Sequence, residues 1–439
     1  MFFYRLITGL GLPFLILGLL ARKQFYGKGH GDLRQKLGFI PPSLRLYNFR
    51  KQRIWLHAVS FGELKGMELF WKMLSDRFPD ASIVLSVGTE TAYELAVDML
   101  EKYPSLAQRG FVFYLPFDFE PCVSSWTEFI KPDILIITET EIWPELLDKL
   151  SEKFCFLVNA RVTARSVKGY QSLLLKKIIS QALNSFDLVF PQSNTHEMRF
   201  QELGVSEDRL HTLGNFKFDN IQIPSSERIN HLKQKLNITP ETFILIAGST
   251  HQDEEQLALQ VYKSLCKEYT DRDIRLIIAP RHLERLSGIK QLCDKENINY
   301  KLSSHIDQQQ KWQQLLLLDE MGVLMDFYAI SNIAMLGGTW ADVGGHNPLE
   351  PAACGLQVFT GPHTYKIEDL LETFDGLQPV IRAKTEEELL QQISPILKEN
   401  TPKEKKQTSP ARNFKMTEKV SEITLLKIRD YISSGTPVD

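Results

Sequence analysis

The sequence predicts an α/β protein of two doubly wound domains, preceded by a short apolar helix. Three observations predict it. Short apolar runs alternate with amphipathic stretches of helical period, the βαβ rhythm of a parallel sheet covered on both faces. The rhythm lapses once, near residues 216–235, into a polar segment carrying Pro224, Ser225 and Ser226, and then restarts. A stretch from Leu6 to Ala21 carries no charge and stands ahead of the first strand.

Bulk properties fit this reading. A chain of 439 residues is long enough for two or three domains. A formal net charge of −3 argues against a nucleic-acid partner held by general electrostatics. The five cysteines, Cys122, Cys155, Cys266, Cys293 and Cys354, form no CxxC pair, which favours a reducing compartment over a disulfide framework or a zinc site.

The apolar start is short for a membrane span. As a helix, Leu6 to Ala21 rises about 24 Å, against a hydrocarbon core of about 30 Å. Pro13 sits in its middle, and counting back to Phe2 makes a span feasible. Arg22, Lys23, Lys28, Arg34 and Lys36 follow it, a charge asymmetry that puts the rest of the chain in the cytoplasm. The competing readings are a cleaved signal peptide and a helix buried in the first domain.

Predicted strands of the first domain are Ile54–Val59, Ser82–Val87, Phe111–Tyr114, Ile134–Thr138, Phe154–Asn159 and Leu188–Phe190, with helical patterns such as Glu63–Arg77 and Thr91–Lys102 between them. Those of the second are Phe243–Ala247, Ile274–Ile278, Gly322–Leu324, Ile333–Leu336 and Gln357–Thr360. The expected division is an anchor at 1–25, domains at 26–225 and 226–415, and a final helix and tail at 416–439. Pro402–Lys415 reads as a basic loop and Val420–Ser433 as the last helix. Ligands of such sheets bind beyond the carboxyl ends of the strands, so two facing sheets predict a cleft.

Four clusters stand at predicted strand ends. In Trp55–Gly66 (WLHAVSFGELKG) a strand runs into Ser60, and Glu63 opens a helix. Glu63 is either a general base or a complement to the helix N-terminus, worth about 0.3–1 kcal/mol. In Ile137–Leu146 (ITETEIWPEL) Glu139 and Glu141 are two apart and share a face of an extended segment. They read as support for a developing oxocarbenium ion, or one of them merely starts the next helix. Arg161, Arg165 and Lys217 suit an anionic ligand or are solvated surface charges. The strongest cluster is Gly337–Gly355 (GGTWADVGGHNPLEPAACG), directly after a strand. Gly337, Gly338, Gly344 and Gly345 permit close backbone approach, and Asn347, Pro348 and Glu350 read as N-cap, N1 and N3. That pattern predicts a phosphate site of free loop and helix N–H groups, or only a well-capped helix. Ser249–His251 and Pro280–His282 end two further strands, with Arg281 as a phosphate ligand and His282 as structural. No cluster has metal-ligand spacing and no Asp-x-Asp pair is suitably placed, so a reaction without metal or cofactor is expected. No GxGxxG follows the first strand, against a dinucleotide.

In this order the stretches RQKLGF (Arg34–Phe39), LHAVSFGE (Leu56–Glu63), TETEIWP (Thr138–Pro144), NARVTARS (Asn159–Ser166), GNFKFD (Gly214–Asp219), STH (Ser249–His251), PRHLER (Pro280–Arg285), MGVLMDFYAISNIAMLGGT (Met321–Thr339), GGHNPLEPAACG and GPHTYKIEDL resemble the Kdo transferases of lipopolysaccharide synthesis. The resemblance spans nearly the whole chain. It implies the GT-B fold, with acceptor lipid on the N-terminal Rossmann-like domain and CMP-Kdo on the C-terminal one. It implies a base role for Glu63 and transition-state support from Glu139 and Lys217. For CMP it implies Pro280, Arg281, Met321, Gly322, Val323, Gly337, Gly338, Asn347, Pro348, Leu349 and Glu350. The partners implied are CMP-Kdo, a lipid A precursor and the cytoplasmic face of the inner membrane, with no metal. Two departures stand out. The family usually has Glu where this chain has Val323, and Asn–Phe where it has Tyr365–Lys366–Ile367. The rival readings are another GT-B enzyme acting on a UDP-sugar, such as an epimerase, and a non-catalytic lipid-binding scaffold.

Overall fold

The computed structural model of the chain describes residues 1–26, 31–172, 175–305, 312, 314–372, 374, 380–398 and 419–435. They form two units, Met1–Asn220 with Glu418–Asp439, and Ile221–Thr417.

The first unit is a six-stranded sheet of β1 (Gln52–Ala58), β2 (Ala81–Val87), β3 (Val112–Tyr114), β4 (Ile134–Thr138), β5 (Phe154–Ala160) and β6 (Leu188–Pro191), in the order β3-β2-β1-β4-β5-β6. Every pairing is parallel, with Ile54 opposite both Ile83 and Ile134. Strands buried on both faces must be apolar at successive positions, and β2 and β4 are buried throughout. Alternation sends Ile54, Leu56, Ile136 and Phe156 into one core and Trp55, Leu135, Ile137 and Leu157 into the other.

The second unit repeats the plan with β7 (Phe243–Thr250), β8 (Ile274–Pro280), β9 (Tyr300–Leu302), β10 (Leu315–Leu317), β11 (Ile333–Leu336), β12 (Gln357–Thr360) and β13 (Val380–Arg382). The order is β13-β12-β11-β7-β8-β10-β9, again all parallel. Leu245, Leu276 and Ile278 face one core, while Ile244, Ile246 and Ile277 face the other.

Several expectations need correction. Gly322–Leu324 is not a strand. Gly322 has φ +81°, which breaks an extended run, and Leu324 begins a helix to Ile330 that buries Phe327, Tyr328 and Ile330. The strand is Leu315–Leu317, from the leucine run just upstream. The short edge strands β9 and β13 carry mostly half-buried residues and give no apolar run to read. The polar segment after residue 220 contains a helix, Ser226–Lys235, capped by Ser225 Oγ and with no fully buried residue. The predicted loop Pro402–Lys415 lies outside the described residues.

The last helix, Val420–Ser434, returns to the first unit. Val420, Leu425 and Ile428 join the core beneath β1, and the backbone N–H groups of Val420 and Ser421 donate to the Asp219 carboxylate at 2.8 and 2.7 Å. Asp219 thus supplies the cap that Lys419 cannot. Ile428 has no exposed surface, so Ile428→Ala is expected to lower stability by about 2–5 kcal/mol in chemical denaturation. A change within about 0.5 kcal/mol would mean the helix is not part of the core.

Candidate functional site

Each sheet reverses its winding beside its first strand. In the first unit the reversal falls between β1 and β4, and the crevice at such a point is where doubly wound sheets bind ligands. Glu63 follows β1, and Glu139 and Glu141 follow β4, so the reversal brings them together.

Ser60 caps the helix Phe61–Gly66, its Oγ accepting from the Glu63 N–H at 3.3 Å. Glu63 reaches back: Oε1 accepts from the Ser60 hydroxyl and Oε2 from the Val59 N–H, both at 2.9 Å. This is a variant of the capping box in which the carboxylate reaches the N–H of Val59, one residue before the cap, in place of that of Ser60. Both Glu63 oxygens are therefore engaged at the start of its own helix, with the side chain half-buried.

Glu139 is 5% exposed and adopts φ +58°, sparsely populated for a residue with a side chain. Its Oε2 accepts from Arg161 Nε at 2.6 Å. Burial pushes the carboxyl up, Arg161 pulls it down, Glu63 raises it and Lys217 lowers it. Among the described residues no cation offsets Glu141 in this way. Burial, then Glu63, then Glu139 push it up to about 7. Lys217 is held by its neighbours: Asn159 Oδ1 accepts from Phe216 N–H (3.1 Å), Asn215 Oδ1 from Lys217 N–H (2.9 Å), and Phe216 stacks on Phe70 at 4.8 Å. The result is a group of three carboxylates with Arg161 and Lys217 among them. Arg165 stays exposed on the helix Ala164–Tyr170.

In the second unit the reversal lies between β7 and β11. A hollow of about 330 Å³ opens beside the ends of β7, β8 and β10, lined by Ser249, Ala279, Pro280, Arg281, Leu283, Leu318, Glu320, Met321, Gly322, Leu324, Tyr328, His346, Asn347 and Glu350. Of the residues expected to contact a nucleotide, it gathers Pro280, Arg281, Met321, Gly322, Asn347 and Glu350. Val323 instead lines a neighbouring hollow with Asp326 and Phe327. Burial raises the Glu350 carboxyl, while Asn347 and Arg281 lower it.

The glycine-rich loop is the main correction. Its amides from Gly337 to Ala341 are not free. Glu254, 3% exposed, accepts at Oε1 from the N–H groups of Thr339 (3.0 Å), Trp340 (2.9 Å) and Ala341 (3.1 Å), and at Oε2 from Gly338 and His251 (both 2.8 Å). A protein carboxylate fills the nest that a phosphate was expected to fill. The glycines serve chain packing. A Cβ on Gly337 would fall 2.0 Å from the Ser249 carbonyl oxygen, and Gly344 and Gly345 lie under Tyr365, Lys366 and Ile367. The unusual Tyr365–Ile367 segment is thus the cover of this loop. The helix is shorter than expected, Leu349–Ala353, with Pro348 at its cap position rather than N1. Asn347 Oδ1 accepts from Leu349 N–H (3.1 Å), and Asn347 Nδ2 donates to Glu350 (3.3 Å). Gly337, Gly338, Pro348 and the buried Leu349 lie behind the hollow's wall, not on it.

Sequence reasoning also missed a histidine pair. His251 and His346 meet Nε2 to Nε2 at 2.8 Å with their rings nearly parallel. Such a contact needs one proton between them, and burial followed by His251 pushes His346 down to about 4. His282 is exposed, its ring 5.8 Å from that of His251.

Replacing the central carboxylate tests the loop. In Glu254→Gln, amide hydrogen exchange across Gly338–Ala341 is expected to quicken by on the order of tenfold or more. Unchanged protection would show that the loop is held by its glycine packing alone.

Comparison with known proteins agrees with this geometry. Residues 31–220 match the family model for 3-deoxy-D-manno-octulosonic-acid transferase (kdotransferase). A 3-deoxy-D-manno-octulosonic acid transferase of Haemophilus influenzae is 29% identical over 400 residues, covering 89% of this chain and 88% of the relative. One from Chlamydophila psittaci is 26% identical over 353 residues, covering 78% of this chain and 77% of the relative. Among solved structures, a Listeria monocytogenes chain described as a UDP-N-acetylglucosamine 2-epimerase has a TM-score of 0.50 at 13% identity, over 88% of this chain and 98% of that one, a likeness of fold alone. Residues 31–220 therefore form a domain of the 3-deoxy-D-manno-octulosonic acid (Kdo) transferase family, and the chain is a glycosyltransferase with the GT-B fold.

Proposed function

We propose that this chain transfers Kdo from CMP-Kdo to a lipid A precursor, a tetraacylated, bisphosphorylated glucosamine disaccharide, at the cytoplasmic face of the inner membrane. The observation that carries the reading is the group of Glu63, Glu139, Glu141, Arg161 and Lys217 at the winding reversal of the first sheet. An acceptor hydroxyl loses its proton to Glu63 as its oxygen attacks the anomeric carbon of Kdo from the face opposite CMP. The bond from that carbon to the phosphate oxygen breaks, and CMP leaves with the electron pair. Inversion follows from attack opposite the leaving group. Glu139 and Lys217 face the charge that develops on the sugar and the acceptor, as preorganised electrostatics require. Arg281, with Asn347 and Glu350 on the same hollow, is the proposed seat of the nucleotide. No metal takes part.

A second assignment of the base has an observation behind it. Both Glu63 oxygens accept hydrogen bonds from Val59 and Ser60, whereas no hydrogen bond to Glu141 is present among the described residues, and its carboxyl sits near 7, the range best suited to a base at neutral pH.

Paired variants decide between them. Glu63→Gln is expected to bind CMP-Kdo normally and to lose about 10²–10⁴-fold in transfer rate, while Glu141→Gln keeps most of its turnover. The opposite pattern, with the wild-type rate rising through pH of about 7 and that rise absent from Glu141→Gln, assigns the base to Glu141. Near-normal transfer in both variants would remove the carboxylate mechanism.

A further inference from the structure

The start of the helix Phe2–Tyr26 and the segment Gln35–Lys36 that follows it in sequence are both tied to the same folded unit. Near its start the Tyr4 hydroxyl donates to Asp118 Oδ2 at 2.6 Å, and Arg5 makes a two-point pair with the fully buried Glu145 (2.8 and 2.9 Å) and reaches Asp148 at 2.9 Å. Asp118 is already fixed by the N–H groups of Glu145 and Leu146, at 2.9 and 3.0 Å. Gly9 lies against Phe119, where an added Cβ would come within 3.2 Å of the ring. Nine residues after the helix in sequence, Gln35 accepts from Tyr114 N–H and from the Trp126 indole, and Lys36 Nζ donates to the Gly88 carbonyl at 2.8 Å.

These bonds are incompatible with a membrane crossing. A crossing would separate Arg5 from Gln35 by a hydrocarbon core of about 30 Å, yet both residues bond to elements between Gly88 and Asp148 of one unit. The other face of the helix has no partner among the described residues. Phe3, Ile7, Leu10, Phe14 and Leu17 recur every three or four positions and are 62–76% exposed. They form a stripe about 21 Å long, larger than water-facing helices leave bare. Arg22 and Lys23 follow the stripe in sequence.

We propose that this helix is an in-plane anchor, lying along an anionic lipid surface with the Phe3–Leu17 stripe among the acyl chains and the Tyr4–Arg5 face clamped to the first unit. Both helix ends and the unit that follows then lie on one side of the membrane. The clamp also fixes the direction from which lipid reaches that unit. The inference concerns the anchor alone and stands or falls independently of which sugar is transferred.

The test uses the full chain with a protease-cleavable tag ahead of Met1, reconstituted from detergent into sealed vesicles of phosphatidylethanolamine and phosphatidylglycerol. Among molecules whose folded units face outward, protease added outside is expected to remove the tag. The chain should float with the vesicles, and Ile7→Glu with Phe14→Glu should cut the floated fraction by at least about tenfold without altering circular dichroism. A tag protected until detergent opens the vesicles would mean that the helix spans. Flotation unaffected by the paired glutamates would overturn the lipid-facing stripe. Failure to float, with a dimer that the glutamates dissolve, would assign the stripe to a second copy.

Discussion

Parallel strands wound outward in both directions from one central strand leave a crevice where the winding turns, and this constraint organises everything else in the chain. At β1 and β4 the two connections leave in opposite directions, which opens a crevice at the strand ends between them. Charged side chains can gather there without being sealed in the core. The same geometry at β7 and β11 leaves space for the hollow around Arg281. Each unit therefore carries its own charged groups: carboxylates with cations in the first, a hollow lined by Arg281, Asn347 and Glu350 in the second.

Glu254 shows how a protein can stabilise such a loop from within. Five N–H groups converging on one buried carboxylate satisfy the charge by short hydrogen bonds, which burial would otherwise make very unfavourable. The loop is then rigid before any ligand arrives, and His346, Asn347 and Glu350 are presented on a fixed frame. These side chains and Arg281 line the hollow, while the N–H groups of Gly338 to Ala341 are already engaged by Glu254. Preorganisation of this kind lowers the ordering entropy lost on binding.

Much of this was legible in the residues. Strands with continuous apolar runs, such as Ile134–Thr138, Ile333–Leu336 and Gln357–Thr360, can be read to the residue because burial on both faces leaves one pattern. Edge strands such as Val380–Arg382 are half-exposed and carry no such signal. The gathering of Glu63, Glu139 and Lys217 follows from motifs placed after strands. Glu63 as a complement to its helix N-terminus was also legible, since it opens the helix after Ser60. Glu254 was not legible, because its partners lie more than eighty residues away in sequence and a helix-starting glutamate ordinarily reads as a local charge. Its only signal was the pair Glu254–Glu255 just after the Ser249–His251 motif, where Glu255 instead pairs with Arg285. The glycines misled for a related reason: close approach was correctly inferred, but the approaching groups are the chain's own Ser249, Tyr365 and Ile367.

The claim that joins these parts is that an acidic eight-carbon sugar moves from a cytidine nucleotide to a phosphorylated lipid. Mass spectrometry of the lipid, after incubation of purified enzyme with CMP-Kdo and the tetraacyl disaccharide bisphosphate in metal-chelating buffer, tests it most directly. The account predicts a lipid heavier by one or more Kdo residues, with one CMP released for each. An unmodified lipid with CMP-Kdo intact, from enzyme shown to be folded, would contradict it.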